Sequence, residues 1–121
     1  MKIEIEISEQ RLADMLCSGM EGGINYWAKI ISYVAPTDLK FKIYPPEVFR
    51  HVDYPMSGGC VTLQTEEGES YMLTKPKLLA GLETMSKVAP KHFANWLAER
   101  DDAETGDVFI QCCLFGKVIY G

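Results

Sequence analysis

A predicted β-hairpin constrains the fold more than any other feature of the sequence. Two short runs with strand-like composition, 60–65 and 70–74, flank the segment Glu66-Glu67-Gly68-Glu69. Glycine suits the tight turn that joins two antiparallel strands, because it adopts backbone conformations that other residues avoid. The sequence therefore predicts a sheet that is mainly antiparallel.

Three further strands are predicted from side-chain alternation and composition. Residues 2–7 place Ile3, Ile5 and Ile7 on one face and charged residues on the other. Residues 24–34 are rich in β-branched and aromatic side chains, which predicts a long central strand covered on both faces. A last strand is predicted at 117–120. With the hairpin, these segments make a sheet of about five strands.

Helices are predicted where apolar residues recur at spacings of three and four. The first spans about 9–20, with Ser8 as its N-cap and Gly22-Gly23 after its end. A second follows Thr74, a short third spans 91–99, and a fourth carries Val108 to Phe115 and ends at Gly116. The predicted fold is α+β, with three to four helices packed on one face of the sheet.

Length and charge restrict the class of protein. A chain of 121 residues fits a single globular domain, 1–121. Its net charge of -5 disfavours nonspecific binding to nucleic acid or to anionic lipid. No apolar run reaches the roughly 18 residues that a membrane span requires, and the first ten residues lack the apolar core of a signal peptide. We therefore expect a cytoplasmic protein without membrane association.

The four cysteines and the acidic run 99–107 do not predict a metal or a cofactor. Cys17, Cys60, Cys112 and Cys113 form no C-x-x-C pair, and adjacent cysteines are poorly placed to bridge or to hold zinc. We expect reduced and mostly buried thiols. The acidic run does not have the EF-hand spacing, so capping of the following helix and solvation explain it better.

Two motifs carry a resemblance to known proteins. They are the segments Glu21-Gly22-Gly23-Ile24-Asn25-Tyr26-Trp27 and Asp101-Asp102-Ala103-Glu104-Thr105-Gly106-Asp107, the latter continuing into Gln111-Cys112-Cys113-Leu114-Phe115-Gly116-Lys117-Val118-Ile119-Tyr120-Gly121. With these motifs the chain resembles an uncharacterised family of small phage and prophage proteins over nearly its whole length. The resemblance implies a phage context and no particular activity. By analogy with small accessory proteins of phages, it raises the expectation of a role against host defence.

The segment that most resembles a binding site is 21–27. Gly22 and Gly23 would let the backbone approach a ligand closely, and Glu21 precedes them. Asn25 and Trp27 would share one strand face, where an indole stacks on a base and an amide reads its edge. The alternative is structural: the glycines cap a helix, Trp27 is a core residue and Asn25 satisfies a backbone group.

Two cations complete the candidate binding set. For a ligand that carries phosphate, Arg50 in the proline-rich loop and Lys29 are the expected counter-charges. The alternative for Arg50 is a solvated loop. The candidate ligand-binding residues are therefore Glu21, Gly22, Gly23, Asn25, Trp27, Lys29 and Arg50, with no catalytic and no metal-binding residue predicted.

Three functions are consistent with these features. The leading one is a noncatalytic binding protein of phage origin that interferes with host antiviral defence, by binding a host effector or by sequestering a small nucleotide signal. The first alternative is an acidic decoy that mimics nucleic acid. The second is a small Cys/His hydrolase using His51 or His92. A homo-oligomer is expected, since the small domain has open strand edges and a loop rich in aromatic residues.

Overall fold

The computed structural model describes residues 7–34 and 52–121, and every structural statement below concerns these residues. Within them the fold is α+β, with five α-helices and a three-stranded antiparallel sheet. The elements in chain order are α1 (Glu9–Ser18), a π-helical turn (Gly19–Gly23), β1 (Ala28–Val34), α2 (Asp53–Met56), β2 (Cys60–Thr65), β3 (Ser70–Thr74), α3 (Lys75–Val88), α4 (Pro90–Leu97) and α5 (Ala103–Phe115).

The predicted hairpin is confirmed at its predicted bounds. Strands β2 and β3 pair antiparallel, with Val61 opposite Leu73 and Leu63 opposite Tyr71. Gly68 in the connecting turn has a φ of 90°, a conformation that favours glycine. Strand β1 pairs antiparallel with the other edge of β2, so β2 is the middle strand of the described sheet.

The prediction of a long central strand at 24–34 is wrong in its start. Residues 24–27 form a turn, in which the N–H groups of Trp27 and Ala28 both donate to the carbonyl of Ile24 at 2.9 Å. Because these backbone groups are satisfied locally, the strand begins only at Ala28. Within the described sheet β1 lies at an edge, and Tyr33 is 41% exposed rather than covered.

The predicted strand at 117–120 is also wrong, because a side chain takes the place of a neighbouring strand. Gln111 Oε1 accepts from the N–H groups of Ile119 and Tyr120, each at 2.8 Å. Gln111 Nε2 donates to the carbonyl of Tyr120 at 3.2 Å. Most of the strand predicted at 2–7 lies outside the described residues. The described part of the chain therefore has three strands and not the predicted five.

The predicted helices are present, and their ends follow local signals. Ser8 accepts from the N–H of Arg11 at 3.1 Å and Asp102 accepts from that of Thr105 at 3.0 Å, so both residues are N-caps. Gly116 ends α5 with a φ of 70°. One helix was missed: α2 interrupts the region predicted as a loop at 35–59. Residues 35–51 of that loop lie outside the described part.

Helix α5 is the centre of the core. All of its residues from Thr105 to Cys113 are buried, and it packs against α1, the π-helical turn, α3 and α4. The helix approaches the π-helical turn very closely, since a Cβ atom on Gly106 would lie 2.4 Å from the backbone nitrogen of Gly19. Cys60, Cys112 and Cys113 are buried and Cys17 is half-buried, as the sequence predicted. No helix of the described segments is long and apolar enough to span a bilayer.

Candidate functional site

A cavity of about 560 Å³ opens where the π-helical turn, the start of α5 and the C-terminal segment meet. We call it the junction cavity. Its polar lining comprises Tyr26, His92, Glu104, Asp107 and Tyr120. Tyr26 comes from the turn before β1, His92 from α4, Glu104 and Asp107 from α5, and Tyr120 from the segment after α5. Residues from four parts of the chain, which span positions 23 to 121, therefore build one concave surface.

Both motifs that carry the phage resemblance line this cavity. Gly23 and Tyr26 belong to the first motif, and Glu104, Asp107 and Tyr120 belong to the second. A Cβ atom on Gly23 would lie 2.2 Å from the carbonyl oxygen of Ala103. Glycine at this position therefore allows the π-helical turn to contact the first turn of α5. The contact that sequence analysis expected with a ligand is made here with another part of the chain.

Asp107 holds the floor of the cavity in place. Its side chain accepts three hydrogen bonds: Oδ1 from Trp27 Nε1 at 2.7 Å and from Gln111 Nε2 at 2.9 Å, and Oδ2 from the Tyr26 hydroxyl at 2.6 Å. The residue is only 5% exposed. A buried carboxylate is tolerated when such donors replace its water, so this network explains why an acidic residue lies in the core.

Tyr26 has a half-exposed ring and a hydroxyl that is already hydrogen-bonded within the chain. The side chain is 50% exposed and its hydroxyl donates to Asp107. Partial burial, followed by the hydrogen bond to Asp107 and the negative charge there, raises the pKa of Tyr26 to about 12. The phenol is therefore neutral at physiological pH and cannot serve as a base.

Trp27 is a core residue. Its indole is 2% exposed, stacks on the Tyr120 ring at 4.8 Å with 7° between the planes, and donates to Asp107. Asn25 is exposed and its Nδ2 lies 3.4 Å from the carbonyl of Glu21. The expectation that Asn25 and Trp27 share a strand face is wrong, because both precede β1 in a turn that points them in different directions.

His92 is oriented by a short chain of hydrogen bonds. Its Nδ1 lies 3.1 Å from Thr105 Oγ1, which in turn lies 3.3 Å from Asp102 Oδ1. The pKa of Asp102 is lowered, chiefly by the hydrogen bond from the Thr105 backbone. An ionised carboxylate only accepts, so the Thr105 hydroxyl donates to Asp102 and accepts from the Nδ1 proton of His92. In the imidazole tautomer with its proton on Nδ1, the acceptor is Nε2.

The structure does not bring the predicted binding residues together in one site. Asn25 and Lys29 line a separate cleft of about 380 Å³ together with Gln64 and Glu66. Gly23 lines the junction cavity, while Glu21 and Gly22 are exposed on the π-helical turn. Trp27 lies in the core, as described above. Arg50 and His51 lie outside the described residues.

Sequence reasoning missed Asp107 as a site residue, because it was assigned to capping and solvation with the rest of the acidic run. The spacing of Asp107 and Gln111 carried a usable signal. Two polar residues four positions apart occupy one face of an otherwise apolar helix, which is the pattern of a buried polar pair. Their partners could not be read from this spacing.

The described residues offer neither a metal centre nor an activated thiol at the cavity. No group of three or more His, Cys, Asp or Glu residues in 7–34 and 52–121 is placed to hold a metal ion. Burial raises the pKa of the Cys112 thiol to about 11 and that of Cys113 well above its usual value. Protonated, buried thiols are poor nucleophiles, and neither of these lines the junction cavity.

No family model, curated protein or solved structure matches the chain. The resemblance to small phage proteins therefore stays a prediction. The function proposed below is therefore argued from the junction cavity and the Asn25–Lys29 cleft and from their chemistry.

Proposed function

We propose that this protein is a noncatalytic phage accessory protein that interferes with host antiviral defence by binding a host effector protein at the junction cavity. The observation that carries the proposal is the cavity itself, whose floor is the buried Asp107 carboxylate and whose rim carries Glu104. A preformed concave site with a few convergent polar groups is the usual form of a binding site.

Electrostatics favour an effector protein over a nucleotide as the partner at this site. Two carboxylates face the cavity, and none of its described lining residues is a lysine or an arginine. Phosphate oxygens would meet negative charge without a compensating cation. A basic surface on a host protein would be attracted by the same charges, which also supports fast association.

The state of the polar groups supports binding rather than catalysis. Tyr26, Trp27 and Gln111 all direct their donors to Asp107. His92 is engaged by Thr105, and no cysteine lies among the described residues that line the cavity. A Cys/His hydrolase needs a nucleophile beside the imidazole, so this alternative lacks its first requirement at His92.

Sequestration of a nucleotide signal is the second candidate, and the cleft lined by Asn25 and Lys29 favours it. An amide and an ammonium group lie there on one concave surface of about 380 Å³. The neighbouring Glu66 offsets part of the Lys29 charge. This cleft is where a nucleotide would be tested, and Arg50 would be its second cation.

The acidic decoy is less consistent with the arrangement of surface charge. Several carboxylates are neutralised by ion pairs: Glu9 with Lys75 at 2.5 Å, Glu83 with Lys87 at 3.3 Å and Glu99 with Arg11 at 3.3 Å. A decoy for nucleic acid needs a dense and unpaired acidic face. Interspersed cations weaken such a face.

The test is capture of partners from the lysate of an infected host that carries a defence system. Three proteins are purified from this lysate and analysed by native mass spectrometry. They are the wild type, Glu104→Gln and the control Glu83→Gln. We expect an added protein mass with wild type and with Glu83→Gln, and a weaker one with Glu104→Gln. The same three variants are scored for phage plating on the defended host.

Two outcomes would overturn the proposal. One is full capture and full plating with Glu104→Gln, which would place the function elsewhere. The other is a retained nucleotide mass that Lys29→Gln removes, which would favour the second candidate. Glu83 is exposed and pairs with the surface residue Lys87, so its variant controls for the loss of one negative charge.

The predicted location in the host cytoplasm and the predicted homo-oligomer belong to the same proposal. Strands β1 and β3 are the edges of the described sheet, and Ile31, Val34 and Met72 are exposed on them. Such edges and apolar side chains favour association with a second copy. Light scattering that gives a mass near 13.6 kDa at tens of micromolar protein would contradict the oligomer.

A further inference from the structure

We infer that the junction cavity recognises a guanidinium group, and so that the host effector inserts an arginine side chain into it. This inference rests on the proposed function and names the chemistry of its ligand. It depends on two properties of the cavity: which hydrogen-bonding groups are free, and what surrounds them.

The first property is that the side-chain donors are already committed. The Tyr26 hydroxyl and the Trp27 N–H donate to Asp107, and the Tyr120 hydroxyl donates to Glu67 at 3.1 Å. The Nδ1 proton of His92 faces Thr105. The unused hydrogen-bonding capacity of the described side chains in the cavity is therefore acceptor capacity.

The start of α5 follows the same rule. Helix N-termini usually present free N–H groups that attract anions. Here the Asp102 side chain accepts from Thr105 N at 3.0 Å, so this N–H is not free, and the Asp102 carboxylate adds a negative charge at the helix start. A phosphate or carboxylate ligand would be repelled by that charge.

The remaining acceptors are of three kinds. Glu104 offers an exposed carboxylate, Asp107 has lone pairs beyond its three bonds, and the His92 tautomer with its proton on Nδ1 has Nε2 as an acceptor. A ligand that satisfies all three must bring several donors, and carboxylates favour one that is positively charged. Guanidinium carries five N–H donors in a planar fork, whereas ammonium carries three on one atom.

Apolar surface beside these acceptors fits the stem of such a ligand. Ala89, Val108 and Val118 line the cavity together with the polar residues, and Val118 is 44% exposed. The half-exposed ring of Tyr26 gives a guanidinium plane an aromatic face on which to stack. A cation with an aliphatic stem therefore matches the cavity better than a bare metal ion or a compact amine.

The inference is tested by titrating the full chain with N-acetyl-arginine amide. Binding is monitored by two-dimensional NMR of the isotope-labelled backbone. The matched probe is N-acetyl-citrulline amide, which has nearly the same shape, no charge and fewer donors. We expect the arginine derivative to bind at least about tenfold more tightly, because hydrogen bonds to charged groups are stronger. Shift changes should map to Tyr26, Glu104 and Val118.

Variants localise the effect. Glu104→Gln should weaken binding of the arginine derivative several-fold and leave citrulline binding unchanged, while Glu83→Gln should behave as wild type. Glu104 is exposed, so its substitution leaves the core intact. Equal affinities for the two probes, or shift changes confined to Asn25 and Lys29, would overturn the inference. So would tighter binding of the corresponding lysine derivative or of inorganic phosphate at the same residues.

The outcomes separate this inference from the proposed function. If the arginine derivative fails to bind while capture of a host protein still depends on Glu104, the proposed function stands and the guanidinium inference falls. If the derivative binds as expected but no host protein is captured, the cavity chemistry is right and the proposed partner is wrong.

Discussion

The indole N–H of Trp27 donates to Asp107 Oδ1 at 2.7 Å, although the two residues are 80 positions apart in the chain. Tyr120 stacks on the same indole, so one side chain joins the turn before β1, the central helix and the C-terminal segment. The wall of the junction cavity is therefore continuous with the core. Substitutions on its floor should change stability, and substitutions on its rim should change binding.

Asp107→Asn should lower the free energy of unfolding. The amide has the same shape, but an NH₂ group replaces one of the two accepting oxygens. At the Oδ2 position this group cannot accept from Tyr26, and at the Oδ1 position it cannot accept from Trp27 and Gln111. A buried donor left without its partner costs about 1–3 kcal/mol. Urea denaturation measures the loss. Asp14→Asn is the control, since Asp14 is exposed and accepts only from Gln10 at 2.7 Å; equal midpoints for the two variants would contradict the network.

Gly23→Ala should be destabilising and Gly22→Ala should not. A Cβ atom on Gly23 would lie 2.2 Å from the Ala103 carbonyl oxygen, whereas one on Gly22 would lie 3.9 Å from its nearest neighbour. Forcing the π-helical turn away from α5 costs about 1–3 kcal/mol, as for other overpacked sites. Thermal melting of both variants provides the measurement. The prediction fails if the two melting temperatures fall equally.

Trp27→Ala should cost about 3–5 kcal/mol of stability, because it removes a fully buried aromatic side chain. Asn25→Ala should change stability by less than about 0.5 kcal/mol, since Asn25 is exposed. The sequence placed both residues in one candidate site, so their separation in a denaturation experiment tests the core assignment of Trp27. A Trp27→Ala variant with wild-type stability would contradict the core assignment and favour a binding role for Trp27.

Alkaline pH should remove a contribution of Tyr26 to stability. The folded state raises the pKa of Tyr26 from 10.0 to about 12, so it favours the neutral phenol. This contribution is complete below pH 10, where the unfolded chain also holds its proton, and is lost as the pH rises through about 12. Phenolate absorbance of wild type minus Tyr26→Phe gives the titration. A difference curve centred at the ordinary tyrosine pKa would count against the bond to Asp107.

Thiol reactivity should separate the cysteines by burial. Cys112 and Cys113 should react slowly with a disulfide reagent, because burial raises the pKa of both thiols and hides them. Cys17, which is half-buried, should give the fastest phase, and Cys17→Ser should abolish that phase. Denaturant should release all four thiols. Rapid reaction of Cys112 or Cys113 in the folded protein would show that α5 is less protected than its packing indicates.

The sequence by itself determined the elements whose signals are local. The hairpin follows from strand-forming residues on both sides of Gly68, and α1 begins at the predicted cap Ser8. Gly116 ends α5 in the left-handed conformation that glycine permits. The bonds that form these caps and the hairpin turn join residues three or four positions apart, so the local sequence pattern contains them.

Only the tertiary structure decided which residues form the site and which predicted strands are absent. Residues 117–120 have strand-like composition, but the Gln111 side chain bonds the backbone of Ile119 and Tyr120 in place of a neighbouring strand. Asp107 resembles its acidic neighbours in the sequence and differs from them because Trp27 and Tyr26 supply donors from the other end of the chain. A buried charge is stabilised by partners that the fold brings together. Local propensity contains no information on those partners.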